Sequence, residues 1–342
     1  MKLLTKKLNL QTILMIIAIV AFIIVVPTAF SGYSLMVVNT SLIYSMITFG
    51  ISLMLGMGGQ LSFAGLAFMG IGAYFTANVT TGRLGLLLPS GVAFILAPIF
   101  TGIFAYLIGL ILLKLRGTYF TFSTIALVQV CYSFFNNYRP LFGGPDGISA
   151  IPSLKLFGYE FPTNNYLPWF FFLVALVVIV ALLIERIRRT SFGRSLASVR
   201  DDETAALTLG VDVYKTKVKA FAITGFLSGL AGALYVMMGT FVSSDLFQYN
   251  NATQFIIMAM VGGINSTFGS VFGSVLITIL PEIFRALENL LQLIYGLAVI
   301  LMMVFMPMGF GGITNTIFSK FTKRKGTIIS HKDDVEDEGS SS

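Results

Sequence analysis

The chain runs to 342 residues, 56% hydrophobic and only 11% charged, against about 25% charged in an ordinary water-soluble domain. That balance excludes a chain bathed in water on all sides. The net charge of +7 is no sign of nucleic acid, because the basic residues abut long apolar runs with no groove-reading or base-stacking pattern beside them.

Residues 1–10 carry Lys2, Lys6 and Lys7 and lead into an apolar run over 13–30. At about 18 residues it is long for a signal-peptide core and close to the length that crosses hydrocarbon, so it reads as a span. Further apolar runs follow at 34–57, 60–78, 86–113, 117–135, 167–184, 220–240, 252–266, 268–284 and 289–308, two of them short. Backbone in lipid must satisfy its own hydrogen bonds, and the runs lack the alternation of strands, so each predicts a helix. The expected fold is all-α: a polytopic transmembrane helical bundle of about 8–10 spans within residues 11–319.

Lys and Arg in short loops favour the cytoplasmic side. With the N-terminus inside, the count of runs places Lys114 and Arg116, the block 185–219, and Lys320, Lys323, Arg324 and Lys325 inside as well. Both termini are therefore expected on the cytoplasmic face of a multi-pass cell-membrane protein. The same count puts 136–166 outside, rich in Gly, Pro and Asn, as a connector or as a surface for an extracellular partner. Residues 320–342 are too polar to bury anything and predict a disordered cytoplasmic tail.

Several chemistries are missing. The lone Cys131 excludes an internal disulfide, and the lone His331 argues against a zinc centre. No phosphate-binding loop of the G-x-x-x-x-G-K-[ST] kind occurs, and the spans show no paired carboxylates, His cluster or nucleophile motif, so an enzyme is not expected. Ionisable residues are nearly absent from the spans before residue 184, unlike a carrier that relays protons. Glu282, Arg285 and Glu288, three apart, read as a local ion-pair cluster at a helix end.

The block 185–219 is different. Asp201, Asp202 and Glu203 have the chemistry to cap a short helix, Ala205 and Ala206 leave room for another surface, and Gly210 ends it. Leu196, Val199, Ala206, Leu207 and Leu209 are interspersed among charges that include Arg194 and Arg200. A solvated linker would not need them, so this segment is expected to dock a partner. Two glycine-rich stretches complete the picture. Gly58, Gly59, Gly65 and Gly72 fall in one, Gly262, Gly263 and Gly269 in the other. Small residues at this spacing let membrane helices touch. At one constant offset Gly58 matches Gly262, Gly59 matches Gly263, Gly65 matches Gly269 and Phe68 matches Phe272, which raises the idea of a duplicated half. Packing is the default role. Helices broken near the midplane are the alternative, with Gln60, Ser62, Asn265 and Ser266 as candidates for the pathway.

The run Thr204-Ala205-Ala206-Leu-Thr-Leu-Gly210, with Glu203 one position early, resembles the E-A-A-x-x-x-G coupling helix of ATP-binding-cassette importer permeases. Gly58 to Tyr74, Leu115 to Phe120, Gly143 to Ile148, Ser191 to Arg194, Ala205 to Val211, Gly229 to Tyr235 and Val261 to Gly269 are similar, in order, to branched-chain amino acid permeases of the LivM type. Urea permeases are close kin. At Ser62-Phe63-Ala64-Gly65 the chain departs from the more usual Ser-Leu-Gly-His. The resemblance implies a second permease, LivH-like or a second copy, two cytoplasmic ATPase subunits and an extracellular or periplasmic solute-binding protein. It implies no cofactor bound by this chain, with ATP acting through the partners to drive alternating access.

Overall fold

The computed structural model describes residues 30–156 and 158–283, together with residues 23, 25–28 and 296. Each apolar run between 34 and 284 is a helix. In chain order, α1 is Tyr33–Ile51, continued by a π-helical turn Ser52–Met57; α2 is Ala64–Thr80; α3 is Ser90–Leu112; and α4 is Thr118–Asn137. A short α5, Arg139–Phe142, precedes α6, Leu167–Arg189. Then come α7, Ser191–Asp201, α8, Glu203–Thr208, α9, Val213–Gly239, α10, Tyr249–Gly262, and α11, Thr267–Ile283. Among the described residues, five helices are long and apolar enough to cross a membrane: α1 with its π turn, α3, α4, α6 and α9. The runs 13–30 and 289–308 fall mostly outside the described residues, as do Arg285, Glu288 and the tail 320–342.

Boundaries differ where local chemistry outweighs hydropathy. α9 starts well before the apolar run at 220 because Asp212 caps it, accepting from the Lys215 N–H at 3.0 Å. α2 starts at Ala64 and not at 60 because Gly59 turns the chain at φ +65. α6 opens with Pro168 in its first turn and closes on Arg186, Arg188 and Arg189, which oppose the negative end of its dipole.

α9 packs on α1, α2 and α3 and, with α1, forms the buried centre. The contact between α2 and α9 needs small residues: a Cβ on Gly72 would stand 2.5 Å from the Gly229 carbonyl oxygen. On α1 the buried hydroxyls of Ser41, Ser45 and Thr48 are satisfied within the helix, donating to the Val38, Leu42 and Ser45 carbonyls at 2.7, 2.6 and 2.8 Å. α3, α4 and α6 turn most of their surface outward.

The bundle has two unlike ends. At one, residues 136–166 form a folded cover and not a slack strap. Lys155–Leu156 pairs antiparallel with Tyr159–Glu160, Ile148 bridges Val242, the Lys155 N–H donates to Ser90 Oγ at 2.9 Å, and Trp169 Nε1 donates to the Pro162 carbonyl at 3.2 Å. The other end holds α7, α8 and the block of basic residues.

Candidate functional site at the charged end

The segment from Thr190 to Asp212 is folded by its own caps. Thr190 Oγ1 accepts from the Gly193 N–H at 3.3 Å to start α7, and Asp202 Oδ1 accepts from the Thr204 and Ala205 N–H groups at 2.7 and 3.0 Å to start α8. Gly210, at φ +80, ends α8: its N–H donates to the Leu207 carbonyl and that of Val211 to the Ala206 carbonyl, both at 3.0 Å. Asp212 then caps α9, and the Lys215 N–H holds its carboxyl below the usual carboxylate range, helped by the Lys215 ammonium at 2.9 Å.

One face of this segment is inward. Leu196 is fully buried, and Val199, Ala206 and Val213 form a small cluster under α8. The expectation that Ala206 leaves room for an approaching surface is corrected here: its methyl is used up inside the chain. The outward residues are Ala205, Leu207 and Leu209, the two leucines 55% and 79% exposed on a short helix framed by charge. Arg194 is also outward, its guanidinium donating to the Arg189 carbonyl at 3.1 Å.

The inner face touches the first glycine turn. Arg200 Nη1 donates to the Gly56 carbonyl at 2.8 Å, and its stem lies over Gly59, where a Cβ would meet Arg200 Cγ at 2.9 Å. Leu196 occupies the space beside Gly58, 3.1 Å from where a Cβ would be. Glu203 pairs with the buried Lys217 and accepts from Gln60 Nε2 at 3.5 Å. In the last turn of α6, Arg188 donates to the Asn265 carbonyl and, at 2.9 Å, to Ser52 Oγ, whose own proton goes to the Ile264 carbonyl at 2.6 Å. The end of α1 and the loop after α10 are thus bound to each other through Ser52, the first held by Arg200 of α7 and the second by Arg188 at the end of α6.

Four residues nominated for a midplane pathway lie elsewhere. Gln60 faces Glu203; Ser62 Oγ accepts from the Ala64 N–H at 3.3 Å; Asn265 is exposed at the tip of the second turn; Ser266 Oγ accepts from the Gly269 N–H at 3.0 Å. All stand at helix ends, because the breaks in the helices fall at the charged end and not halfway along. Of the packing glycines, Gly262 and Gly269 close on each other backbone to backbone, Gly263 turns the chain at φ +99, and Gly65 rests on Ile47. Sequence reasoning missed Arg188, Ser52 and Lys217. Three arginines crowd the end of α6, and only the fold shows which one points inward.

Residues 33–306 match the family described as branched-chain amino acid transport system, permease component. The chain belongs to that family. It is 28% identical over 323 residues to the high-affinity branched-chain amino acid transport system permease protein LivM of Salmonella typhimurium, covering 86% of this chain and 74% of the relative. The Escherichia coli LivM is 27% identical over the same shares. A probable branched-chain amino acid transport permease protein LivM of Methanocaldococcus jannaschii is 26% identical over 68% of this chain and 70% of the relative. No solved structure matches. The resemblance read from the motifs therefore holds: this permease component is a multi-pass membrane protein.

Proposed function

We propose that this permease is one of two membrane subunits of an importer that carries branched-chain amino acids and is driven by ATP hydrolysed on separate cytoplasmic subunits. The relatives named above supply the solute class. The observation that carries the coupling is the set of contacts from α7 to the first glycine turn, Arg200 on Gly56 and Leu196 beside Gly58, with the second turn held by Arg188 at the end of α6 through Asn265.

In this reading the exposed Leu207 and Leu209 seat in a cleft on an ATPase subunit. When the two ATPases close on ATP they displace α8, and the displacement passes through Arg200 and Leu196 to the turn after α1. The permease pair then rocks between outward-open and inward-open states, and the solute-binding protein loads it from the side of the 136–166 cover. The shift is driven only as far as nucleotide binds the two states unequally. The termini and the charged end are cytoplasmic.

The direct test is leucine uptake into vesicles holding the permease with its co-purified subunits. Uptake should require ATP inside the compartment of the charged end and survive collapse of the proton gradient. Leu209→Asp should lower it more than tenfold without lowering the amount of protein in the membrane; uptake unchanged by that substitution would remove the docking role. For orientation, Asn164→Cys should react with an impermeant thiol reagent from outside and Thr208→Cys only from inside, and the opposite pattern would invert the topology.

A further inference from the structure

The outward faces of the spanning helices are not alike. On α3 the exposed residues include Ile95, Ile99 and Ile103, and on α6 Phe171, Ile179 and Leu183, a surface that hydrocarbon wets at no cost. On α4 Phe122, Val130 and Phe134 are exposed as well, but Ala126, Gln129, Ser133 and Asn137 lie among them, three and four residues apart and so on one side of the helix. Asn137 Nδ2 is satisfied by the Ser133 carbonyl and hydroxyl at 2.9 and 3.2 Å. Gln129 makes no hydrogen bond among the described residues, and it stands about 16 Å into a helix about 30 Å long, near its middle. A primary amide at that depth, facing lipid, would lose all its hydrogen bonds.

We propose that this face of α4 is the wall of the solute pathway, closed on its far side by the second permease chain, and that Gln129 and Ser133 contact the solute's polar ends. The solute class rests on the proposed function. A glutamine amide suits a zwitterion at both ends, its N–H group donating to the carboxylate and its carbonyl accepting from the ammonium. No Asp, Glu, Lys or Arg occurs in α4, so the wall is neutral, as suits a solute with no net charge. Phe122 and Val130, both more than half exposed, offer apolar surface to a branched side chain. The inner side of α4 is tied to the chain just past the first glycine turn: Thr121 Oγ1 donates to the Leu61 carbonyl and Thr124 Oγ1 accepts from the Phe63 N–H, each at 3.1 Å. Motion of that turn therefore reaches the wall directly.

The test uses the full transporter with its co-purified subunits in vesicles, on a Cys131→Ala parent. Leucine uptake by the parent, measured first, tests the proposed function alone. Gln129→Cys and Ile99→Cys are then exposed to a charged, hydrophilic thiosulfonate. The expected result is modification of Gln129→Cys at least tenfold faster than Ile99→Cys, slowed severalfold by L-leucine. Equal, slow rates would place α4 against lipid, and a fast rate indifferent to leucine would remove the solute contact; either overturns the proposal. A second variant guards against misfolding. Gln129→Leu suits a lipid-facing helix better than the native residue, so uptake unchanged by it overturns the proposal, whereas a tenfold or greater loss, with Gln129→Asn retaining uptake, upholds it.

Discussion

The two glycine turns at the charged end are built alike and held differently. α1 runs into Gly58 and Gly59 before α2, and α10 runs into Gly262 and Gly263 before α11. Ser62 and Ser266, matched at the same offset, each accept from an N–H in the first turn of the helix that follows. The first turn, however, opens through a π-helical stretch and six residues of coil, whereas the second closes glycine on glycine. Arg200 of the surface segment clamps the first; Arg188 of a spanning helix clamps the second. In the proposed mechanism one motif would serve as a lever in one place and as a fixed post in the other. A π-helical stretch is rare and occurs frequently at functional sites.

The largest expected effect tests the post. Gly262→Val would drive a branched side chain into the Gly269 backbone, which has nowhere to go, since Gly269 presses back on the Gly262 carbonyl. Overpacking of this kind costs about 3 kcal/mol or more. We expect no monodisperse protein after detergent extraction, measured by size-exclusion chromatography, and a well-behaved Gly262→Val would mean that the hairpin is not tight.

Next in size is the contrast between the two clamps. Arg188→Ala leaves the Asn265 carbonyl and Ser52 without their donor and should lower both uptake and the thermal midpoint. Arg200→Ala loosens only the lever: uptake should fall about tenfold while the midpoint stays within about 2 °C, since a surface-side hydrogen bond contributes on the order of 1 kcal/mol. Equal loss of stability in both variants would erase the distinction between lever and post.

Much of this was legible beforehand. Hydropathy located each described apolar helix but not the short α5 or the charged α7, and the pairs Gly58 with Gly262 and Gly65 with Gly269 marked the two turns. The caps at Asp202 and Gly210 were readable because capping is local chemistry. What could not be read was direction. Leu196, Ala206 and Leu209 look interchangeable in a charged stretch, yet two are buried and one is 79% exposed. In the same way the polar residues of α4 are plain in the sequence, but their meaning depends on Phe120, Thr124 and Val128 taking the inner side. Periodicity defines faces and only packing assigns them.

A smaller effect concerns the ion pair that joins α8 to α9. Lys217 is almost fully buried and Glu203 is 38% exposed, so Glu203→Gln leaves a buried ammonium short of its counter-charge. The cost should be about 1–2 kcal/mol, below the 3–5 of a fully buried pair because water screens the Glu203 side. Adding Lys217→Met should restore most of the loss in a double-variant cycle; independent, additive losses would show that the pair does not hold α8 in place.

The smallest effect separates matched glycines. A Cβ on Gly65 would meet Ile47 Cγ2 at 3.0 Å, the methyl of a side chain that can turn away by a few tenths of an ångström. At its counterpart Gly269 the obstacle is the Gly262 carbonyl, which is backbone. Gly65→Ala should therefore shift stability by less than about 1 kcal/mol, and the gain in helix propensity of alanine over glycine offsets part of the crowding. Gly269→Ala should be far worse. If thermal unfolding found the two equally damaging, α2 would have to be wedged against α1 as tightly as α11 is against α10, and the first turn would have no slack with which to act as a lever.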